Sequence, residues 1–79
     1  MEKSFELLEA KTRNAKNVIC NLGANVLKYE VINFHKDLII GEITLNVGEI
    51  VSYKMCNALM NISPFSICAR ESNIVIMII

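Results

Sequence analysis

Residues 51–64, VSYKMCNALMNISP, decide the fold, because their pattern is compatible with either a helix or a strand. A helix would align apolar residues at i, i+4, i+7 and i+8: Val51, Met55, Ala58 and Leu59. A strand would place Val51, Tyr53 and Met55 on one face. A glycine upstream lies where a hairpin would turn, and β-branched residues follow it. The sequence therefore favours a strand over 49–61, with a helix as the alternative.

The remainder of the chain predicts one short helix and several β-strands. Residues 4–14, SFELLEAKTRN, begin with a good N-cap, Ser4, and carry acidic residues near the start and basic residues near the end. Beyond this helix, β-branched residues and short turn signals dominate. Strands are predicted over 18–22, 26–34, 38–45 and 49–55, and a last hairpin turns at Glu71 and Ser72. The predicted fold class is α+β or mostly β: a single domain over 1–79 with a short N-terminal helix and a strongly bent antiparallel sheet of about five or six strands.

The apolar run 74–79, IVIMII, indicates that copies of the chain associate. Burying one large aliphatic side chain is worth about 1.5–3 kcal/mol, whereas a small domain is stable by only about 5–15 kcal/mol. Because successive strand residues point to opposite sides, an unbroken apolar run needs cover on both faces of a sheet. One helix can cover one face. The sequence therefore predicts a homo-oligomer in which a neighbouring subunit covers the other face.

The composition argues against several classes of protein. Eight basic and eight acidic side chains cancel in this chain of 79 residues, so it lacks the cationic excess of a dedicated DNA-binding domain. Cys20, Cys56 and Cys68 lie far apart in apolar stretches, which predicts core residues in a reducing compartment rather than a disulfide framework or a metal site. The chain shows neither the apolar core of a signal peptide nor a run long enough to span a membrane. We expect a cytoplasmic protein without a cofactor or metal.

The order of helix and strands, with a tyrosine–lysine pair entering the last predicted hairpin, resembles the Sm-like family and its Hfq-type RNA-binding members. The similarity covers residues 5–64: LLEAKTRN resembles the N-terminal helix, VICNLGANVLKYEVINF and DLIIGEITL the first three strands, and GEIVSYKMCNALMNISP the segment with the lysine. This resemblance implies a small barrel that assembles into a ring, in which Lys54 lines a central pore and contacts RNA phosphates and Tyr53 belongs with it. Met55 stands where the family has a histidine, and Tyr29 where it has a glycine.

Five residues are candidates for contact with single-stranded RNA. We expect Lys54, Lys36 and His35 to form a small cationic surface for phosphates, which a ring would repeat in every subunit. Tyr29 and Tyr53 are candidates for stacking on bases. The alternative is that the cations are solvated loop and strand residues and that the tyrosines serve in packing.

Two functions of different class follow from these patterns. The first is a homo-oligomeric RNA-binding module of Sm-like type that holds phosphates with pore or surface lysines. The second is a small α+β oligomeric regulatory or protein-interaction domain, ACT-like in its ligand binding, with no role on nucleic acid. A helix over 49–61 would favour the second. Catalysis is not predicted, because no nucleophile–base spacing, Gly-rich phosphate loop or metal-ligand pattern is present.

Overall fold

The computed structural model describes residues 2–36, 38–46 and 52–79. Along this part of the chain the elements are α1 (Glu2–Asn21), β1 (Val26–His35), β2 (Leu38–Leu45), α2 (Tyr53–Met60), β3 (Phe65–Arg70) and β4 (Asn73–Ile78). The four strands form one antiparallel sheet in the order β1-β2-β4-β3, and both helices pack on one face of it. The α+β class is confirmed, with an N-terminal helix followed by an antiparallel sheet.

Helix α1 is longer than the sequence predicts. Its buried residues recur at helical spacing: Leu8, Thr12, Ala15 and Ile19. The predicted end of the helix at residue 14 and the predicted strand over 18–22 are wrong, because this buried stripe continues across both. Gly23, with a φ of 98°, allows the chain to leave the helix, and the Ala24 N–H donates to the Ile19 carbonyl at 3.0 Å.

Helix α1 approaches the sheet closely at Gly41 of β2. Thr12 lies over this glycine, and its hydroxyl donates a hydrogen bond to the Leu8 carbonyl at 2.7 Å. A side chain at position 41 would overlap the Thr12 hydroxyl. The glycine therefore lets the helix lie directly on β2, where Ile43 and Leu45 are both fully buried.

Helix α2 replaces most of the predicted strand over 49–61, and that prediction is wrong there. Ser52 caps the helix, since its Oγ accepts a hydrogen bond from the Met55 N–H at 3.2 Å. Met55 and Leu59 lie one turn apart and are both buried in the core. The helical alternative prevails because this pair packs beside α1, a contact between distant segments that local strand signals do not report. Residues 47–51, with the predicted hairpin turn, lie outside the described residues.

Among the described strands, β1 and β3 form the two edges of the sheet. The strands predicted over 26–34 and 38–45 are confirmed. The last hairpin is also confirmed, and its turn residues Glu71 and Ser72 both have positive φ, as in a type I′ turn. The described residues contain four strands, so the predicted five or six are not confirmed. The Sm-like barrel is not confirmed either, because among these strands the outermost two, β1 and β3, do not pair with each other.

The apolar run 74–79 supplies most of β4, which lies between β2 and β3. Its residues alternate: Ile74, Ile76 and Ile78 face the helices, and Val75, Met77 and Ile79 face away. Val75 is only 1% exposed within a single subunit, so its burial needs no second copy. Along this run, Met77 and Ile79 are therefore the residues that a second subunit could cover.

Candidate functional site

The candidate site is the face of the sheet that points away from the helices, called here the open face. Side chains alternate along each strand, so the strand register shows which residues share this face. They are Lys28, Glu30 and Ile32 on β1, Leu38, Ile40, Glu42 and Thr44 on β2, Ser66, Cys68 and Arg70 on β3, and Asn73, Val75 and Met77 on β4, with Ile79 after it. Within the described ranges, α1 and α2 pack on the opposite face, and no helix covers this one.

One end of the open face is apolar. Leu38, Ile40, Met77 and Ile79 line a shallow cleft of about 140 Å³, with Ser66 at its side. Leu38 is 47% exposed and Ile79 is 61% exposed, although both are large aliphatic residues. Contiguous exposed apolar surface is a candidate contact for another molecule. These four aliphatic residues are called the apolar half of the open face.

The other end of the open face carries charges of both signs. Arg70 donates two hydrogen bonds to the Glu42 carboxylate, at 2.9 Å and 2.8 Å, and Glu42 is only 4% exposed. These hydrogen bonds, together with the negative charge of Glu42, raise the pKa of Arg70 above its ordinary value. Because β4 lies between β2 and β3, the Arg70 side chain crosses β4 to reach Glu42, which explains the burial of Val75.

Two further charges, Lys28 and Glu30, complete this polar half. Glu30 lies directly opposite Glu42 in the β1–β2 register, and like charges in that position repel. Each carboxylate has its own cation: Arg70 binds Glu42, and the Lys28 Nζ lies 3.4 Å from the Glu30 Oε1. The second pair is largely exposed, so it stabilises the fold by only about 0–1 kcal/mol. The polar half is thus Lys28, Glu30, Glu42 and Arg70.

Within one subunit, the cationic surface predicted for RNA is divided between two elements. Tyr53 and Lys54 form the start of α2, and both are exposed, with Tyr53 at 81%. His35 ends β1, and Lys36 follows in the turn to β2 with a φ of 38°; both are exposed. Among the described residues, no hydrogen bond or ion pair joins one pair to the other.

Tyr29, the fifth residue predicted for RNA binding, lies on the helix side of β1. Its ring packs against the core, and the Lys16 Nζ lies 5.1 Å from the ring centroid, which is a cation–π contact. An open groove of about 400 Å³ adjoins it, lined by Lys16, Cys20, Val26, Leu27, Lys28 and Tyr29. Tyr29 therefore belongs to the surface between α1 and the edge of β1, and Tyr53 does not.

Sequence reasoning missed the pair that organises the polar half. Glu42 and Arg70 lie on different strands, 28 positions apart, and the sheet order alone brings them together. The available signal was a single charge inside an otherwise apolar strand, as Glu42 is in LIIGEITL. The prediction that all three cysteines lie in the core is wrong, because Cys20 is exposed and Cys56 and Cys68 are only partly buried; all three are free thiols.

Other kinds of site find little support in the molecule. In the part of the chain that the structure describes, no three His, Cys, Asp or Glu side chains are placed to share a metal ion. Neither α1 nor α2 combines the length and apolarity needed to cross a membrane. No protein-family model matches the chain, and no curated protein or solved structure shows a significant match to it. A functional proposal therefore depends on the surfaces of the molecule itself.

Proposed function

We propose that this chain is a small α+β interaction domain that associates with a second copy of itself through the open face. The observation that carries the proposal is the apolar half, which leaves Leu38 and Ile79 exposed on a sheet whose helices all pack on the other side in the described residues. Helix α2 supports it as well, because a helix over 49–61 is the feature that favours an oligomeric interaction or regulatory domain over an RNA-binding ring.

A second copy suits this face for electrostatic and symmetry reasons. The chain has no net charge, so two copies do not repel each other at long range. A two-fold axis can place the apolar half of one copy on that of the other, with the polar halves around it, which is the apolar core and polar rim of an isologous interface. The rim carries both signs, Lys28 and Arg70 beside Glu30 and Glu71, so the rotated surface can meet opposite charges.

The test is the native mass of the full chain, measured by sedimentation over a range of protein concentrations. Met77→Lys places a charge in the apolar half and is expected to reduce the assembly, because a lysine buried without a partner is costly. Met60→Lys is the matched control, since Met60 is 68% exposed on α2, away from the open face. A wild-type chain that is monomeric at all concentrations, or a Met77→Lys chain with wild-type mass, would refute the proposal.

Single-stranded RNA is the second candidate ligand, and the exposure of Tyr53 favours it. An aromatic ring that is 81% exposed beside an exposed lysine, Lys54, is not explained by packing within the subunit. A base can stack on such a ring while the lysine holds a phosphate. This candidate requires neither the five or six strands nor the small barrel of Sm-like proteins, and it is compatible with a homo-oligomer.

Fluorescence anisotropy of a labelled single-stranded RNA of mixed sequence tests this candidate. Tyr53→Ala and Lys54→Ala are expected to weaken binding to all sequences alike, and binding should fall steeply as salt rises. Asn57→Ala, an exposed change on the same helix, is the matched control. Absent binding at low salt, or binding that does not depend on salt, would refute an RNA-binding role.

A further inference from the structure

Strand β1 presents a free edge beside an open groove. The strand spans Val26–His35, and β2 is its only neighbour in the sheet order of the described strands. The backbone N–H and C=O groups on the outer edge of a strand can pair with another strand. The groove of about 400 Å³ adjoins this edge, and Leu27, which is 51% exposed, lines it. A strand added here would meet both backbone partners and apolar surface.

We propose that β1 of a second copy adds to this edge in antiparallel orientation, with a two-fold axis at Tyr29, to make one continuous sheet. An axis perpendicular to the sheet keeps the helices of both copies on the same side, so residues that lie opposite each other must share a face. Same-face residues are two positions apart along a strand. The axis must therefore pass through a residue rather than between two residues, which leaves few possible registers.

Charge selects Tyr29 among these registers. An axis at Tyr29 places Lys28 of each copy opposite Glu30 of the other, so the dimer gains two cross-strand pairs of opposite charge, with Cβ atoms about 4.5–5.5 Å apart. An axis at Glu30 would set two carboxylates side by side. An axis at Val31 would set Glu30 against the aliphatic Ile32 and leave Lys28 without an acidic partner.

Glu30 also gains a second cation in the paired edge. Within its own subunit it lies opposite Glu42, and Lys28 is its only ion-pair partner among the described residues. In the paired edge, Glu30 has the repelling Glu42 on one side and the attracting Lys28 of the second copy on the other. The new contact offsets a repulsion that the single subunit retains.

The helix side of the edge is compatible with the same register. The axis brings the Tyr29 rings of the two copies into cross-strand positions, where aromatic pairs are stabilising. Lys16 already lies 5.1 Å from the ring centroid in each subunit, so each ring is held on the helix side by its own cation. The groove provides open space for the second strand beside Leu27.

Charged residues and bulges on an edge strand commonly prevent association, and β1 has both. Its register with β2 shifts between Val26 and Lys28 and again between Asn33 and His35, which leaves 28–33 regular. These features disfavour every register except the one in which the charges match. The other edge, β3, offers no matched register, because Arg70 has no acidic residue with it on that strand.

The edge pairing is independent of the proposed open-face association. It uses the side of the sheet and leaves the open face uncovered, so both contacts can form in one assembly. If the two axes intersect at right angles, the two contacts close an assembly of four subunits, with two continuous sheets that face each other and the helices outside. The two contacts can be removed separately, which makes their failures distinguishable.

The experiment measures the native mass of full-length variants against the subunit mass of 8.9 kDa. Met77→Lys is expected to reduce the assembly to a dimer that is held by the edge alone. Adding Lys28→Glu or Glu30→Lys to the Met77→Lys chain sets like charges against each other in both cross-strand pairs of the edge. This change is expected to raise the dimer dissociation constant by about tenfold or more. Adding both reversals together restores the pairing and should restore the dimer.

Failure of the charge swap would overturn the edge pairing. The contrary results are a Met77→Lys chain that is monomeric, single reversals that leave the dimer intact, or a double reversal that does not recover it. Thermal unfolding is expected to show that each reversal folds, since Lys28 and Glu30 are both exposed. A wild-type dimer that Lys28→Glu dissociates but Met77→Lys does not would refute the open-face association and retain the edge pairing.

Discussion

Replacing Gly41 with alanine tests whether α1 presses on the sheet as closely as the structure indicates. The new Cβ would overlap the Thr12 hydroxyl, which is fully buried and is held by its hydrogen bond to the Leu8 carbonyl at 2.7 Å. Either Thr12 rotates and gives up that hydrogen bond, or α1 moves away from β2. Both responses cost free energy, because Ile43 and Leu45 lie under the same helix without exposed surface.

The expected loss follows from three effects. Overpacking a close-packed core costs about 1–3 kcal/mol, and losing the Thr12 hydrogen bond costs about 1 kcal/mol. Alanine in place of glycine returns roughly 0.5–1 kcal/mol by restricting the unfolded chain. Gly41→Ala should therefore lower the free energy of unfolding by about 1–3 kcal/mol, which is a large share of the roughly 5–15 kcal/mol of a small domain.

Urea denaturation followed by circular dichroism measures this loss, at one protein concentration because association adds apparent stability. Thr12→Ala removes the overlapping oxygen but keeps a Cβ only 3.0 Å from the new one, so it should relieve part of the strain. We expect the double variant to lose about 1 kcal/mol less free energy of unfolding than the sum of the two single losses. Asn57→Ala, exposed on α2 and away from both Gly41 and the open face, is the control. Wild-type stability of Gly41→Ala, or strict additivity, would show that the helix does not press on the sheet here.

Three further changes test the core, the cap of α2 and the polar half, each by urea denaturation. Leu59→Ala removes a fully buried side chain and should cost about 2–5 kcal/mol; a loss below about 1 kcal/mol would mean that α2 does not pack in the core. Ser52→Ala removes the N-cap and should cost about 1 kcal/mol with some loss of helicity, whereas unchanged helicity would contradict the cap. Arg70→Ala should destabilise, and adding Glu42→Ala should recover part of the loss because no buried carboxylate is then left unpaired; further loss in the double variant would contradict this.

Local signals correctly predicted β1, β2 and the last hairpin. The strands over 26–34 and 38–45 were predictable because β-branched residues dominate them and glycine or short polar turns bound them. The last hairpin was predictable from two polar residues between apolar runs. These signals concern neighbours in the chain, and the observed bounds, Val26–His35 and Leu38–Leu45, agree with the predictions within a residue.

The helices were predicted poorly, for a shared reason. Local propensity led to three wrong predictions: the end of the first helix at residue 14, the strand over 18–22 and the strand over 49–61. Ala15 and Ile19 on α1 and Leu59 on α2 are instead kept in helices by burial against each other and the sheet. Tertiary burial overrides a propensity difference of a few tenths of a kcal/mol per residue.

Candidate functional residues divide in the same way. Tyr53 and Lys54 were candidates from the sequence for contact with RNA, without a prediction that both are exposed, and the structure leaves both exposed at the start of α2. The open face was not predictable, because it joins Leu38, Met77 and Ile79 through a strand order that places β4 between β2 and β3. The periodicity of the sequence does not indicate which strands are neighbours in the sheet.

The sequence by itself indicated a small chain of α+β or mostly β class, with no net charge and an apolar run over 74–79. It also determined which residues alternate along each strand, because strand geometry has a period of two. Only the tertiary structure decided that 53–60 is helical, that Arg70 reaches over β4 to Glu42, and that Met77 and Ile79 share a face without a helix over it. The physical reason is that burial and sheet order depend on contacts between distant segments, whose energies exceed those of the local preferences.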